Sequence, residues 1–201
     1  MAISELSGFV LAGGKSTRMG QDKATLLFHG RTLLEHALAT LRSICSNVAI
    51  LGRRDLYGQL GPVYEDVFAG CGPLGGIHAA LTNSPSRHNI IIAVDTPFLK
   101  PEFLSYLGER ARSSNAVVTT PEINDYMQPL CTVYAKDFLP IAEEALKSGH
   151  YKIVPLFPRD QTLVIREAEL RGFAFAAEMF ENLNTPDDLK RAQRNTSGLN
   201  T

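Results

Sequence analysis

The sequence predicts an α/β fold, in which helices cover both faces of a mostly parallel central sheet and form a three-layer sandwich. Short apolar runs alternate with amphipathic helical patterns along the chain, which is typical of parallel strands joined by helices. The most hydrophobic run, Ile90–Val94, fits a strand buried on both faces of such a sheet. Of the 201 residues, 44% are hydrophobic and 20% are charged, which is the composition of a folded globular chain.

Six strands are predicted from short apolar runs, each of which has turn residues or polar residues at its ends. In chain order they are Phe9–Ala12, Asn47–Leu51, Asn89–Val94, Ala116–Thr120, Leu130–Tyr134 and Leu163–Ile165. Gly13 and Gly14 end the first of them. The strand that begins at Asn89 is placed at the centre of the sheet, because its apolar run is nearly continuous.

The first helix is predicted from its cap and from the spacing of its apolar residues. Thr32 and Glu35, three residues apart, form a capping box. Behind this cap, four apolar residues recur on one helical face: Leu34, Leu38, Leu41 and Cys45.

Four further helices are predicted from prolines, glycines and caps. They are Leu74–Thr82, Pro101–Ser113, Lys136–Ser148 and Pro186–Arg194. Proline suits the first position of a helix because the amide it lacks has no partner there. Gly149 fits the position after a helix end, where positive φ is common, and Thr185 caps the last helix.

Composition limits the domain organisation and the classes of partner. No Pro/Gly/Ser-rich linker divides the chain, so we predict a single domain over residues 1–194 and a flexible polar tail over residues 195–201. The 20 Lys and Arg residues against 21 Asp and Glu residues give a net charge of -1, which provides no broad basic surface for nucleic acid.

The same composition favours a cytoplasmic protein without a membrane partner. The longest strictly apolar run is too short to cross a bilayer, and residues 1–8 lack the positive segment of a secretory signal. The 3 cysteines are odd in number and form no C-x-x-C pair, which fits a reducing compartment rather than a disulfide framework or a structural zinc site.

The segment Leu11–Lys23 joins the end of a buried strand to a glycine-rich, basic loop. Gly13 and Gly14 allow backbone amides to approach a ligand and form a concave site for anions. Three cations follow: Lys15, Arg18 and Lys23. The spacing fits neither a Walker A loop nor a dinucleotide fingerprint, and Phe9 stands where the former needs its first glycine. We interpret the segment as a phosphate-binding loop; the alternative is a helix-entry turn with solvated cations.

Asp95 follows the central strand and precedes Thr96 and Pro97. Ligands of open parallel sheets bind beyond the carboxyl ends of the strands, where the Gly13–Gly14 turn is also expected, so we predict that the two converge. A carboxylate at this place suits Mg²⁺, which binds through one or two carboxylates and the phosphates of a substrate. The alternative is an Asx turn or a cap for the helix that begins at Pro101.

Five segments resemble those of the nucleotidyltransferases that make molybdenum cofactor dinucleotides, and most closely the MobA-type molybdenum cofactor guanylyltransferases. They are Leu11–Lys23, Gly72-Pro-Leu-Gly-Gly76, Asp95-Thr-Pro-Phe-Leu99, Gln128-Pro-Leu130 and Asn182-Leu-Asn-Thr-Pro-Asp187. The resemblance spans nearly the whole chain and implies a Rossmann-like fold of the nucleotide-diphospho-sugar transferase type. Cytidylyltransferase relatives usually carry alanine where this chain has Gly13, which favours GTP as the nucleotide.

The resemblance implies transfer of GMP from GTP to the terminal phosphate of molybdenum-loaded molybdopterin, with release of pyrophosphate. The residues expected to bind the nucleotide are Leu11, Ala12, Gly13, Gly14, Lys23, Asp66, Gly72, Pro73, Leu74 and Asp95. Asp95 is expected to hold Mg²⁺, and we assign Arg18 and Lys23 to the charge that develops in the transition state. Asn182 and Asn184 resemble the pterin-side contacts. Transient contact with a receiving molybdoenzyme or another cofactor-assembly protein is also implied.

Several readings stay open at this point. By spacing alone, Asp66 is a solvated loop carboxylate, the Gly72–Gly76 segment is a tight turn, and Asn182 and Asn184 are turn and cap residues. Some family members place an asparagine after the second strand, where this chain has Gly52–Arg53. The alternative functions are a cytidylyltransferase for the same cofactor, a sugar-phosphate nucleotidyltransferase, or a non-catalytic carrier of nucleotide or cofactor.

Overall fold

The structure is a computed structural model, and it describes residues 3–13, 22–68, 70–171, 177–183, 185, 187–189 and 191–192. The strands are β1 (Ile3–Leu11), β2 (Leu27–Phe28), β3 (Arg31–Thr32), β4 (Cys45–Leu51), β5 (Val63–Tyr64), β6 (His88–Ala93), β7 (Val118–Ile123), β8 (Tyr126–Met127), β9 (Cys131–Ala135) and β10 (Thr162–Arg166). The helices are α1 (Leu33–Arg42), α2 (Arg54–Tyr57), α3 (Pro73–Asn83), α4 (Pro101–Arg112), α5 (Leu139–Lys147) and α6 (Glu167–Arg171).

The central sheet has the strand order β10-β7-β9-β6-β1-β4-β5, and β8 pairs with the end of β7. β1 runs parallel to both β4 and β6, so that Phe9 lies opposite Ala49 on one side and Ile91 on the other. β9 runs antiparallel to β6 and to β7, whereas β10 is parallel to β7 and β5 is parallel to β4. Two predictions are confirmed: the sheet is mostly parallel, and the strand predicted over Asn89–Val94, which is β6, lies at its centre.

Helices cover both faces of this sheet because side chains alternate along each strand. Ile90 and Ile92 of β6 pack in the hydrophobic cluster that contains α1 and α4. Ile91 packs in the second cluster, which contains α3 and α5. Every residue of β6 is buried, as expected for a strand that is covered on both sides. The three-layer arrangement is therefore confirmed.

The prediction that Cys45 belongs to the first helix is wrong. α1 ends at Arg42 with Ser43 as its C-cap, and Cys45 is the first residue of β4. Cys45 nevertheless lies in the same hydrophobic cluster as the leucines of α1. An apolar residue at helical spacing can therefore lie either in the helix or in the strand that packs beneath it. The periodicity of the sequence does not distinguish these two cases.

Other boundaries also differ from the prediction, among them those of β7, which covers Val118–Ile123 instead of Ala116–Thr120. β1 begins at Ile3 rather than at Phe9, and its earlier residues also pair with β6. The predicted helix Lys136–Ser148 divides into a 3₁₀ turn over Lys136–Phe138 and α5. Pro140, in the first turn of α5, has no amide with which to continue a helix from the preceding residues. Gly149 follows α5 with a φ of 75°, as predicted.

The last predicted helix is present in the part of the chain that the structure describes. Residues 187–189 and 191–192 are helical. The amide of Thr185 donates to Asp188 Oδ2 at 2.9 Å, and the amide of Asp188 donates to Thr185 Oγ1 at 3.1 Å, which confirms the cap. The predicted tail over residues 195–201 lies outside the described residues. None of the helices described is both long and apolar enough to cross a bilayer.

The capping box of α1 provides a test of its contribution to stability. Thr32 Oγ1 accepts from the amide of Glu35 at 3.2 Å, and Glu35 Oε2 accepts from the amide of Thr32 at 2.8 Å. We expect Thr32→Ala to lower the free energy of unfolding by about 1 kcal/mol, because the cap is lost. In thermal unfolding this is a decrease of roughly 2–4 °C for a chain of this size. Thr40→Ala, in the same helix, is the matched control and should not destabilise; equal losses would contradict the role of the cap.

Candidate active site

The candidate site lies where β1, β4 and β6 end at one edge of the sheet. Leu51 O accepts two hydrogen bonds, from Ala12 N at 2.9 Å and from Gly13 N at 3.1 Å. Leu11 O accepts from Val94 N at 3.2 Å, which brings the end of β1 beside the residue that precedes Asp95. The amides of Ala12 and Gly13 are therefore engaged in the sheet. The predicted anion-binding loop has to take its amides from residues beyond Gly13.

Lys23 and Asp95 meet at this edge although 72 residues separate them in sequence. Lys23 Nζ lies 3.0 Å from Asp95 Oδ2, and the two side chains are 20% and 18% exposed. The predicted convergence of the glycine-rich segment with Asp95 is thus confirmed for Lys23. Because both groups are largely removed from water, their attraction is stronger than that of an exposed ion pair.

The turn that carries Asp95 is fixed by hydrogen bonds of its backbone and of Thr96. Asp95 O accepts from Leu183 N at 2.9 Å, and Thr96 Oγ1 donates to Ala93 O at 2.9 Å, so the turn is held from both sides. The N-cap of α4 is Lys100, which makes no side-chain capping bond. Asp95 is therefore not the cap of that helix, and its carboxylate is available at the site.

The donor set at this edge fits Mg²⁺ bound partly by a substrate. Among the described residues, no three His, Cys, Asp or Glu side chains come together as a metal-binding cluster. Asp95 provides a carboxylate at the end of the central strand, next to the ammonium of Lys23. Mg²⁺ is commonly held by one or two carboxylates together with the phosphates of a bound nucleotide, so a single aspartate suffices for this mode.

Asp66 lies against the first turn of α3, where glycine makes room for it. Its Oδ1 accepts from Phe68 N at 2.7 Å. A Cβ on Gly75 would lie 2.1 Å from Asp66 Oδ2, and one on Gly76 would lie 2.4 Å from Leu11 Cδ1. These two glycines therefore allow Asp66 and the end of β1 to approach the helix. Burial raises the pKa of Asp66 above its ordinary value.

The other residues of the Gly72–Gly76 segment differ in what they can offer a ligand. Gly72 has a φ of 66°, a conformation that favours glycine, and both Gly72 and Pro73 are exposed at the start of α3. Leu74 is fully buried in the second hydrophobic cluster. Leu74 therefore belongs to the core and offers no exposed surface to a ligand in this structure.

The remaining predicted contacts are only partly within the described residues. Asn182 is exposed and directly precedes Leu183, whose amide binds the carbonyl of Asp95, so Asn182 lies next to the site. Gly14, Arg18 and Asn184 lie outside the described residues.

Two residues of this edge, Tyr57 and Asp22, are not predicted from the sequence. The Tyr57 hydroxyl donates to Asp22 Oδ2 at 2.5 Å, and it lies 3.4 Å from Ala12 O. The position of Asp22 directly before Lys23 is a usable signal. Tyr57 belongs to a helix of only 4 residues, which is too short to show periodicity.

The arginines after β4 do not form an anion site with the residues above. Arg53 pairs with Asp55 at 2.5 Å, and both side chains are mostly exposed, as expected for a surface pair. Arg54 donates to Val63 O at 2.8 Å.

Known proteins match this chain over nearly its whole length. The sequence model of the MobA-like NTP transferase domain matches residues 8–161. A protein of Pelotomaculum thermopropionicum, named probable molybdenum cofactor guanylyltransferase, is 35% identical over 94% of this chain and 92% of its own length. The molybdenum cofactor guanylyltransferase of Desulfosudis oleivorans is 32% identical over 95% of this chain and 96% of its own.

Solved structures agree with these matches. Molybdopterin-guanine dinucleotide biosynthesis protein A from Archaeoglobus fulgidus has a TM-score of 0.83 at 29% identity, over 96% of this chain and 99% of that one. The 2-C-methyl-D-erythritol 4-phosphate cytidylyltransferase from Thermus thermophilus, at 16% identity and a TM-score of 0.69, shares the nucleotidyltransferase fold alone. The domain match and the two relatives above 30% identity place this chain in the MobA-like NTP transferase family.

Proposed function

We propose that this protein transfers GMP from GTP to the terminal phosphate of molybdopterin and releases pyrophosphate. The observation that carries the proposal is the Lys23–Asp95 pair, which places a cation and a carboxylate 3.0 Å apart at the carboxyl end of the central strands. Its support is the membership of a nucleotidyltransferase family and the guanylyltransferase names of relatives along most of the chain.

The reaction exchanges one phosphate linkage for another. An oxygen of the acceptor phosphate bonds to the α-phosphorus of GTP, and the bond from that phosphorus to the pyrophosphate oxygen breaks. A terminal phosphate is largely ionised near neutral pH, so no general base is needed to activate it. Positioning and neutralisation of charge therefore supply most of the catalysis.

The chain's own residues have distinct tasks in this scheme. Asp95 would hold Mg²⁺, which when bound neutralises charge on the α-phosphate and on the departing pyrophosphate. Lys23 reaches the same place, since its ammonium lies beside the Asp95 carboxylate. Arg18 is proposed as the second cation that stabilises the transition state. Asn182, next to the segment that binds the Asp95 carbonyl, is proposed to contact the pterin side together with Asn184.

Asp66 is proposed to contact the nucleotide. Because it is partly buried, we also expect it to make the stability of the protein depend on pH. Because the pKa of Asp66 is raised in the folded chain, its carboxylate lowers stability increasingly as pH rises through its titration range. We expect Asp66→Asn to raise the melting temperature at pH 7, with the gain disappearing below about pH 4. The same change should raise KM for GTP about tenfold, because a charged hydrogen-bond acceptor is lost.

Melting temperatures from pH 3 to pH 8 and steady-state kinetics measure both effects. Asp137→Asn is the control, since Asp137 is exposed and pairs with Arg87 on the surface. A melting temperature that falls at pH 7, together with an unchanged KM, would refute the proposed role of Asp66.

The choice of GTP is the part of the proposal that depends on Gly13. A Cβ on this residue would lie 3.7 Å from Leu51 O, an ordinary contact, so the part of the chain that the structure describes leaves room for alanine there. We infer that glycine at this position serves the nucleotide rather than the fold.

Titration calorimetry with Mg²⁺ and GTP, CTP or ATP tests the choice, with pyrophosphate release in the presence of molybdopterin as the activity readout. We expect GTP to bind most tightly and to support release. A preference for CTP would indicate a cytidylyltransferase. Tight GTP binding without pyrophosphate release would indicate a carrier.

The proposed reaction takes place in the cytoplasm, with a receiving molybdoenzyme or another cofactor-assembly protein as a transient partner. Support for a reducing compartment comes from Cys45, Cys71 and Cys131, which are free and buried.

A further inference from the structure

We infer that Tyr57 is a positioning residue for nucleotidyl transfer, and that it acts through Asp22 on the catalytic cation Lys23. The inference rests on the proposed function. Three consecutive contacts carry it: the Tyr57 hydroxyl with Asp22, Asp22 with the turn that begins at Lys23, and Lys23 with Asp95.

The Tyr57 hydroxyl lies between the two ends of the glycine-rich segment. Asp22 Oδ2, at the end of the segment, accepts a hydrogen bond from it at 2.5 Å. Ala12 O, at the start of the segment, lies 3.4 Å from the same oxygen. The Tyr57 hydroxyl thus contacts both Ala12, which follows β1, and Asp22, which precedes Lys23. It therefore links the two ends of the segment.

Asp22 passes this constraint to Lys23. It is the N-cap of the 3₁₀ turn Lys23–Thr25, and its Oδ1 accepts from Ala24 N at 3.0 Å. Its carbonyl accepts from Thr25 N at 3.1 Å and from Thr25 Oγ1 at 2.8 Å. One carboxylate therefore binds Tyr57 with one oxygen and orients the turn that carries Lys23 with the other.

Tyr57 is rigid enough to act as an anchor. Its side chain is buried, at 4% exposure, and its ring packs against Gly52, where a Cβ would lie 3.0 Å from ring carbon Cε2. Burial, together with the bond to Asp22, raises the pKa of Tyr57, so the hydroxyl keeps its proton and remains a donor to the carboxylate.

Removal of the hydroxyl separates this role from packing. In Tyr57→Phe the ring still fills its place in the core, whereas the contacts with Asp22 and Ala12 are lost. The Lys23 turn then loses one of the contacts that fix its orientation, although Lys23 can still reach Asp95. The expected result is an enzyme with normal folding and slower turnover.

A double-mutant cycle of kcat for pyrophosphate release tests the inference. We expect Tyr57→Phe to lower kcat about tenfold in the wild-type background, because a hydrogen bond to a charged group is lost. In the Lys23→Met background the same change should lower kcat less than about twofold, because residues of one network are not additive. Tyr106→Phe is the matched control, since that hydroxyl also donates to a carboxylate, that of Glu169 on α6.

The outcomes separate this inference from the proposed function. An unchanged kcat in Tyr57→Phe, or an equal loss in both backgrounds, would overturn the role of Tyr57 while leaving the transferase proposal intact. A wild-type chain that releases no pyrophosphate from any nucleotide would refute the transferase proposal itself. Lys23 ¹⁵Nζ relaxation gives a readout without substrate: we expect greater mobility of the ammonium in Tyr57→Phe, and unchanged mobility would overturn the coupling.

Discussion

Asp95→Asn is expected to lower kcat for GMP transfer on the order of a thousandfold, because the charge that is proposed to hold Mg²⁺ and that pairs with Lys23 is removed. The substitution keeps the size of the side chain and the backbone carbonyl that binds Leu183. Pyrophosphate release at saturating GTP, measured over a series of Mg²⁺ concentrations, gives the rate. The variant should also require more Mg²⁺ than the wild-type protein.

The control for Asp95 is an aspartate with the same kind of partner in another environment. Asp55 pairs with Arg53, but both side chains are more than half exposed, so solvent screens the pair and it contributes little to stability. Asp55→Asn should leave the rate and the metal dependence unchanged. A rate in Asp95→Asn equal to that of the wild type, at any Mg²⁺ concentration, would remove Asp95 from the mechanism.

Lys23→Ala should lower kcat by roughly a hundredfold to a thousandfold, since a preorganised cation at the developing charge is lost. Its effect on stability should be much smaller, about 1–2 kcal/mol, because the Asp95 carboxylate retains some exposure to water after the ammonium is removed. Steady-state kinetics and denaturant unfolding of the same preparation measure the two quantities together.

Lys147→Ala is the matched control for Lys23. Lys147 pairs with Glu143 one turn earlier on α5, and its side chain is 60% exposed. Loss of this surface pair should leave kcat unchanged and should have little effect on the free energy of unfolding. Equal activity of Lys23→Ala and wild type would contradict the assignment of Lys23 as a catalytic residue.

The structure also modifies the expected phosphate site. The amides of Ala12 and Gly13 both donate to Leu51 O, so this part of the loop completes the sheet instead of binding an anion. The charge of Lys23 is held at the site by the Asp95 carboxylate. Within the described residues, the site therefore offers the placed charge of Lys23 rather than the amides of Ala12 and Gly13.

Some short elements could have been found from the sequence. Asn124 and Asp125 both adopt positive φ in the two-residue turn between β7 and β8, and such a pair between strand residues is a hairpin signal. Other elements carry no such signal. β5 has 2 residues and α2 has 4, so neither is long enough for a period to be recognised.

The sequence alone determined the longer elements and two charged residues of the site, Asp95 and Lys23. The continuous apolar run of β6, the capping box at Thr32 and the proline that opens α4 are local patterns, because burial and capping act on neighbouring residues. Asp95 could be selected because it follows the apolar run of β6, and Lys23 because it ends the glycine-rich, basic segment that follows β1.

Only the tertiary structure decided which side chains meet. Tyr57 with Asp22, and Asp66 with Gly75, join residues from different elements, and the antiparallel placement of β9 depends on pairing with β6 and β7. These contacts arise when the sheet and its helices pack into a common core, so their distances are set by the packing of whole elements. No periodicity within a short stretch of chain contains that information.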